Sequence, residues 1–290
     1  MKGAMEELDL ELSKIIGLEE LKMKLRQWAK GMLLDQNRRA PHMAFLGSSG
    51  AGKTTIARII GKLISSVGVQ YPTRVTEVQP TDLVSQHSNQ TRLKTRKKIQ
   101  DVWGGILLVD EAHRLSPSDT AGNYVTYGEE ALDEIMYAIE EGGVLVIFAG
   151  CTEPMKRVFS SNKGFCRLVT HFFQFNDLSC MELAEMLLLK LSKQDERSRV
   201  FGLRLGSGCS VDAVASVIER KTSERMRSRM NGDLVDHMVN NGRDNLDLRL
   251  GLEAKGDELL TITLADLEAG FDQLVLRLSV SRRGRVGKSN

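Results

Sequence analysis

Eight residues, Gly47-Ser48-Ser49-Gly50-Ala51-Gly52-Lys53-Thr54, constrain this chain more than any other feature. They fit G-x-x-x-x-G-K-[ST] in full, follow the apolar run Met43-Ala44-Phe45-Leu46, and lead into Thr54 to Val67, where apolar residues recur at helical spacing. Strand, glycine loop and helix in that order gather backbone N–H groups at the positive end of a helix, an arrangement suited to concentrated phosphate charge. The segment Gly47, Ser48, Ser49, Gly50, Ala51, Gly52, Lys53, Thr54 and Thr55 is therefore the candidate binding site for ATP. Lys53 would add a point charge at the β- and γ-phosphates, and Thr54 a hydroxyl for Mg²⁺.

A second element, Ile106-Leu107-Leu108-Val109-Asp110-Glu111, puts Asp110 57 residues beyond Lys53. A buried strand ending in two carboxylates places both at the carboxyl edge of a parallel sheet, where α/β folds bind ligands. Asp110 is expected to hold Mg²⁺ through water, and Glu111 to orient and help deprotonate an attacking water. Read alone, Asp-Glu after a strand serves equally well as a helix cap. The glycine loop upstream favours the catalytic reading.

Further strands are expected at Arg74–Val78, Val144–Ala149 and Phe172–Phe175, with helical Glu129–Glu141 between the third and fourth strands. Strands alternating with helices predict an α/β fold with a parallel sheet covered on both faces. Beyond Asn176 the pattern turns helical: Met181–Lys193, Val211–Arg229, Gly232–Arg243 and Leu264–Leu278, with a short extended Leu259–Thr263. The expected organisation is an N-terminal linker and first helix (1–40), an ATPase core (41–175), a smaller helical lid (176–280) and a basic disordered tail (281–290).

Composition excludes more than it selects. The 290 residues are 41% hydrophobic and 27% charged, with no apolar run approaching the ~18 residues of a membrane span. Forty basic against thirty-eight acidic residues leave a net charge of +2, which gives no reason to expect nucleic acid as a partner. Cys151, Cys166, Cys180 and Cys209 show no C-x-x-C spacing and no clustered histidines, so no zinc site is expected. A reducing intracellular compartment follows: the cytoplasm, or a plastid if a transit peptide is missing from this chain.

The sequence resembles the CbbX/CfxQ family of AAA+ proteins, whose best-known members are the red-type Rubisco activases, and within it the plant relatives that carry such a module beside ankyrin repeats. Ile15-Ile16-Gly17-Leu18-Glu19-Glu20-Leu21-Lys22, Thr76-Glu77-Val78-Gln79-Pro80-Thr81-Asp82-Leu83-Val84 and Tyr127-Gly128-Glu129-Glu130-Ala131-Leu132 carry the resemblance. It implies a P-loop fold, a homo-oligomeric hexameric ring or a hetero-oligomer with a related subunit, and ATP-driven remodelling of a protein client. By family position Ile16 and Gly17 pack near the adenine; the sequence is equally compatible with their packing the linker helix. Cys151-Thr152 stands where the wider class has its first sensor, and Thr152 also suits a helix N-cap ahead of Pro154.

Three departures stand out. The family's aromatic-aliphatic-glycine pore triplet is replaced after Asp82-Leu83-Val84-Ser85-Gln86 by His87-Ser88-Asn89. The arginine region reads Gly164-Phe165-Cys166-Arg167-Leu168, leaving Arg167 as the candidate trans-acting finger. The lid's N-A-R sensor reads Asn231-Gly232-Asp233, with Arg229 nearby. Lost pore grip and lost sensor keep an alternative open, a slow-hydrolysing nucleotide-dependent switch or assembly scaffold.

Overall fold

The computed structural model describes residues 2–35, 40–66, 74–85, 87, 90–115, 124–161, 163–192 and 201–286. The chain divides into two units, Met1–Asn176 and Asp177–Asn290.

The first unit is built on five strands: β1 (His42–Leu46), β2 (Val75–Val78), β3 (Ile106–Val109), β4 (Leu145–Gly150) and β5 (Val169–Gln174). All pair in parallel, in the spatial order β2-β3-β4-β1-β5. Because side chains alternate across a strand, each apolar run feeds two cores. Met43, Phe45, Ile106, Leu108, Leu145 and Ile147 enter one cluster, whereas Ala44, Leu46, Leu107, Val109, Val146 and Phe148 enter the other. The first cluster is completed by α1 (Lys2–Ser13), α2 (Glu19–Leu34) and α3 (Lys53–Ser66), through residues such as Leu12, Leu25 and Ile60. The second is covered by α5 (Gln90–Asp101), α6 (Tyr124–Glu141), α7 (Thr152–Ser161) and α8 (Lys163–Leu168), after the single turn α4 (Pro80–Leu83). The expected five-stranded parallel sheet is thus observed. The segment expected as a linker and one helix forms two helices that belong to the sheet's own core.

At the amino edge of the sheet the Val146 N–H donates to Nδ1 of His42 at 3.1 Å, and burial pushes the imidazole's pKa down from 6.5 to about 4. The unfolded chain therefore binds the extra proton between those two values. Stability from this group is complete above pH 6.5 and is lost as pH falls towards 4, by at most about 3 kcal/mol. His42→Gln, whose amide oxygen still accepts from Val146 but does not titrate, should flatten that part of the stability profile. Equal acid slopes for both proteins in denaturant titrations between pH 6.5 and 4 would remove His42 as the cause.

The second unit packs α9 (Cys180–Ser192), α10 (Val211–Lys221), α11 (Glu224–Met230), α12 (Gly232–Arg249) and α13 (Leu264–Val286) around Leu187, Ile218, Leu234, Met238 and Phe271. A two-stranded parallel pair, β6 (Arg204–Leu205) with β7 (Thr261–Ile262), joins them. Three expectations are corrected. The helix expected over Val211–Arg229 is broken in two: the Thr222 hydroxyl donates to the Ile218 carbonyl at the end of α10, and Ser223 caps α11 by accepting from the Met226 N–H. α12 runs past Arg243 to Arg249, whose guanidinium forms a two-pronged pair with the buried Asp266. α13 continues through residues 281–286, expected to lack regular structure; residues 287–290 lie outside the described residues.

Candidate nucleotide site

The parallel sheet brings the carboxyl ends of its strands to one edge, and those of β1, β4 and β5 are joined at the glycine loop. The Gly47 N–H donates to the Gly150 carbonyl at 3.1 Å, tying the loop to the end of β4. The Phe175 N–H donates to Leu46 at 2.7 Å, and a Cβ on Gly47 would sit 2.6 Å from the Phe175 carbonyl oxygen, so only glycine admits that approach. Gly50 and Gly52 take positive φ of 69° and 89°. A Cβ on Gly52 would meet nothing within 4 Å, so this side of the loop faces open space, as a phosphate cradle requires.

Lys53 begins α3 and is only 6% exposed, with its ammonium donating to the carbonyls of Gly47 (3.0 Å) and Ser48 (2.7 Å). Those two bonds keep a positive charge inside the loop. Asp110 follows β3, and its N–H donates to the Val78 carbonyl at 2.9 Å. Glu111 turns left-handed at φ 50°, a conformation that costs a non-glycine residue about 1 kcal/mol or more and recurs where function constrains the chain. Its Oε2 lies 3.5 Å from Nε2 of His113.

Electrostatics show that the two motifs converge. Burial lowers the His113 pKa, Glu111 and Asp110 pull it back up, and Lys53 and Arg114 push it down. Burial raises the Cys151 thiol pKa, reinforced by Glu111 and Asp110 and opposed by Lys53. Lys53, Asp110 and Glu111 therefore act on the same two side chains. Thr54 and Asp110 carry hard oxygen donors, the class of group that suits Mg²⁺.

Residues 43–172 match the ATPase family associated with various cellular activities (AAA), and residues 177–275 match a domain of unknown function (DUF8495). Protein CbbX of Cereibacter sphaeroides is 34% identical over 196 residues, which cover 64% of this chain and 62% of CbbX, less than two thirds of its length. The chromosomal protein CbxX of Cupriavidus necator is 30% identical over 280 residues, covering 91% of this chain and 83% of CbxX. This chain belongs to the CbbX-like AAA+ ATPases. Its fold is also that of the Thermotoga maritima RuvB Holliday junction branch migration motor, with a TM-score of 0.59 over 89% of this chain and 70% of that one at 16% identity.

The remaining candidates of this AAA+ chain are placed less uniformly. Gly17 (φ 66°) and Leu18 (φ 58°) form the turn before α2, and Ile15 and Leu18 pack against the core while Ile16 stays half-buried. Thr152 is not an N-cap: α7 already includes it, and its hydroxyl accepts from Gln174 Nε2 at 3.1 Å. Arg167 lies on α8, its side chain 73% exposed and its guanidinium 2.6 Å from Glu140. Asn231 is fully buried; its Oδ1 accepts from Leu178 N–H, and its Nδ2 donates to Asp177 and to the Ser228 carbonyl. The asparagine of the altered sensor thus works as a structural knot, while Asp233 and Arg229 are exposed. In the segment that resembles the family's pore loop, His87 is exposed; Gln86, Ser88 and Asn89 lie outside the described residues. Sequence reasoning missed His113 and Gln174. The Glu-x-His spacing at Glu111 could have indicated the first; a β5 residue facing Thr152 left no sequence signal.

Proposed function

We propose that this chain binds ATP with Mg²⁺ along Gly47–Thr55 and hydrolyses it, using Glu111 as general base, within a ring that remodels a protein client. The observation that carries the reading is the common reach of Lys53, Asp110 and Glu111 at one sheet edge. In this account the loop N–H groups and Lys53 hold the phosphates, and Thr54 and Asp110 hold the metal. The bound metal would neutralise charge developing on the phosphate oxygens. Glu111 aligns water and accepts its proton; Thr152, whose hydroxyl accepts from Gln174 Nε2, is assigned to steady that water or the terminal phosphate. Ile16 and Gly17 are assigned to the adenine, a reading supported by a half-buried isoleucine beside a left-handed turn. Four free cysteines suit a reducing intracellular setting. Among the described residues no helix is long and apolar enough to cross a membrane.

Arg167 is proposed to act across a subunit interface. Its pair with Glu140 does not oppose this, because ion pairs between exposed side chains contribute only about 0–1 kcal/mol and open readily. Arg167→Ala should slow hydrolysis by ~10³ while leaving nucleotide affinity nearly intact, since the arginine acts on transition-state charge. Mixing Arg167→Ala with Lys53→Ala should restore part of the activity, because some interfaces pair an intact pocket with an intact arginine. Verified mixed rings that recover nothing would remove Arg167 from that role.

A slow switch or scaffold is the second reading, favoured by the commitment of Asn231 to buried structural bonds and by the absence of an arginine from Asn231-Gly232-Asp233. Turnover counted per subunit, with and without an unfolded protein client, separates the two: the remodeller is stimulated and the scaffold is not.

A further inference from the structure

The cysteine spacing gave no reason to expect a metal site beyond that for Mg²⁺, yet folding brings Glu111, His113 and Cys151 together so that one donor atom from each lies within 4.8 Å of the others. We propose that these three side chains bind a divalent cation of the zinc class, and that filling the site stops ATP turnover.

The donors sit on rigid supports. Glu111 and His113 follow β3 through a left-handed turn and a 3₁₀ turn (Ala112–Leu115), and Cys151 follows the adjacent strand β4. Oε2 of Glu111 and Nε2 of His113 are 3.5 Å apart. In a tetrahedral zinc site, bonds of about 2.0 Å to nitrogen and 2.3 Å to sulfur separate neighbouring ligands by roughly 3.3–3.8 Å. The glutamate–histidine distance already falls in that range, and the cysteine sulfur, within 4.8 Å of both partners, has at most about 1.3 Å to close. Three protein ligands leave a fourth position for water or a nucleotide oxygen, the pattern of open zinc sites.

Polarity supports the assignment. Nδ1 of His113 is buried with no hydrogen-bond partner among the described residues, so the ring is not committed to a protein partner through that nitrogen and is free to serve as a ligand. Thiolate and imidazole ligands select zinc or cobalt over magnesium, whereas Thr54 and Asp110 offer the hard oxygens magnesium prefers. The two sites therefore differ in chemistry although they are neighbours. A Glu111 carboxylate engaged with the cation cannot accept the proton of the attacking water. That inhibitory half rests on Glu111 being the base; the binding half does not.

The 290-residue chain, free of nucleotide, is titrated with Co²⁺ and its absorption recorded. One equivalent should develop a thiolate-to-cobalt charge-transfer band in the near ultraviolet, persisting in Cys166→Ser, lost in Cys151→Ser, and requiring at least about tenfold more cobalt in His113→Gln. Thermal melts confirm that each variant is folded. At a buffered free Zn²⁺ concentration and excess Mg·ATP, wild-type turnover should fall. Cys151→Ser should need at least tenfold more zinc for the same fractional loss, relative to its own rate without zinc. No band, or a band that survives Cys151→Ser, overturns the site. Stoichiometric zinc with unchanged turnover, alongside an inactive Glu111→Gln, overturns the regulation while leaving the base intact. A fully active Glu111→Gln rejects the inhibitory half together with the base assignment, and the cobalt band alone then decides whether the site exists.

Discussion

Lys53→Ala is expected to abolish ATP binding. The lysine ammonium is held inside the loop by the Gly47 and Ser48 carbonyls, so its charge stands at the mouth of the cradle before any phosphate arrives. Charge-assisted hydrogen bonds contribute about 1.5–3 kcal/mol each, so losing two contacts to phosphate lowers affinity by roughly 10²–10⁴. Alanine also leaves two loop carbonyls without their partner, which lowers stability as well as affinity. A thermal melt run beside calorimetry separates these effects: a folded variant that binds ATP with unchanged affinity would mean the glycine loop is not the site.

Glu111→Gln is expected to keep ATP bound and to lower turnover by about 10²–10⁴, because the amide retains the shape of the carboxylate but cannot accept a proton. The left-handed backbone at Glu111 does not complicate the comparison, since glutamine meets the same steric demand at φ 50°. Glutamine keeps the length of the side chain, so the 3.5 Å approach to His113 Nε2 needs no rearrangement of the turn. Steady-state hydrolysis at the wild-type rate would reject Glu111 as the base.

Strands β1, β3 and β4 were legible because each is a short apolar run whose alternate residues feed opposite cores, and because glycine or acidic residues punctuate the ends of β1 and β3. Helix α5 was not: Gln90–Asp101 carries seven basic or amide side chains and buries only Thr91, Thr95 and Ile99, so its helical stripe is written partly in threonine, which a search for apolar residues passes over. The break between α10 and α11 was hidden for the opposite reason. Apolar and polar residues continue at compatible spacing through Thr222 and Ser223, and only the hydroxyl bonds at those two positions show that one helix ends and another begins.

Within the site, Lys53, Thr54, Asp110 and Glu111 are local in sequence to the strand ends that position them, so pattern alone located them. His113 is two residues from Glu111 and was within reach of the sequence, whereas Cys151 and Gln174 come near these residues only through the parallel register, in which β4 lies between β1 and β3 and β5 flanks β1. Asn231 marks the limit of reading a motif by position: in place of a sensor motif the chain uses a buried asparagine whose three hydrogen bonds hold the start of α12.

The central claim is that water, held by Glu111, attacks ATP bound at the glycine loop. Single-turnover hydrolysis of γ-labelled ATP, with protein in excess over nucleotide and Mg²⁺ present, tests it most directly. The account predicts that the label appears in inorganic phosphate with the wild-type chain and stays in protein-bound ATP with Glu111→Gln. ATP recovered intact from the wild-type chain, or label transferred to any acceptor other than water, would contradict it.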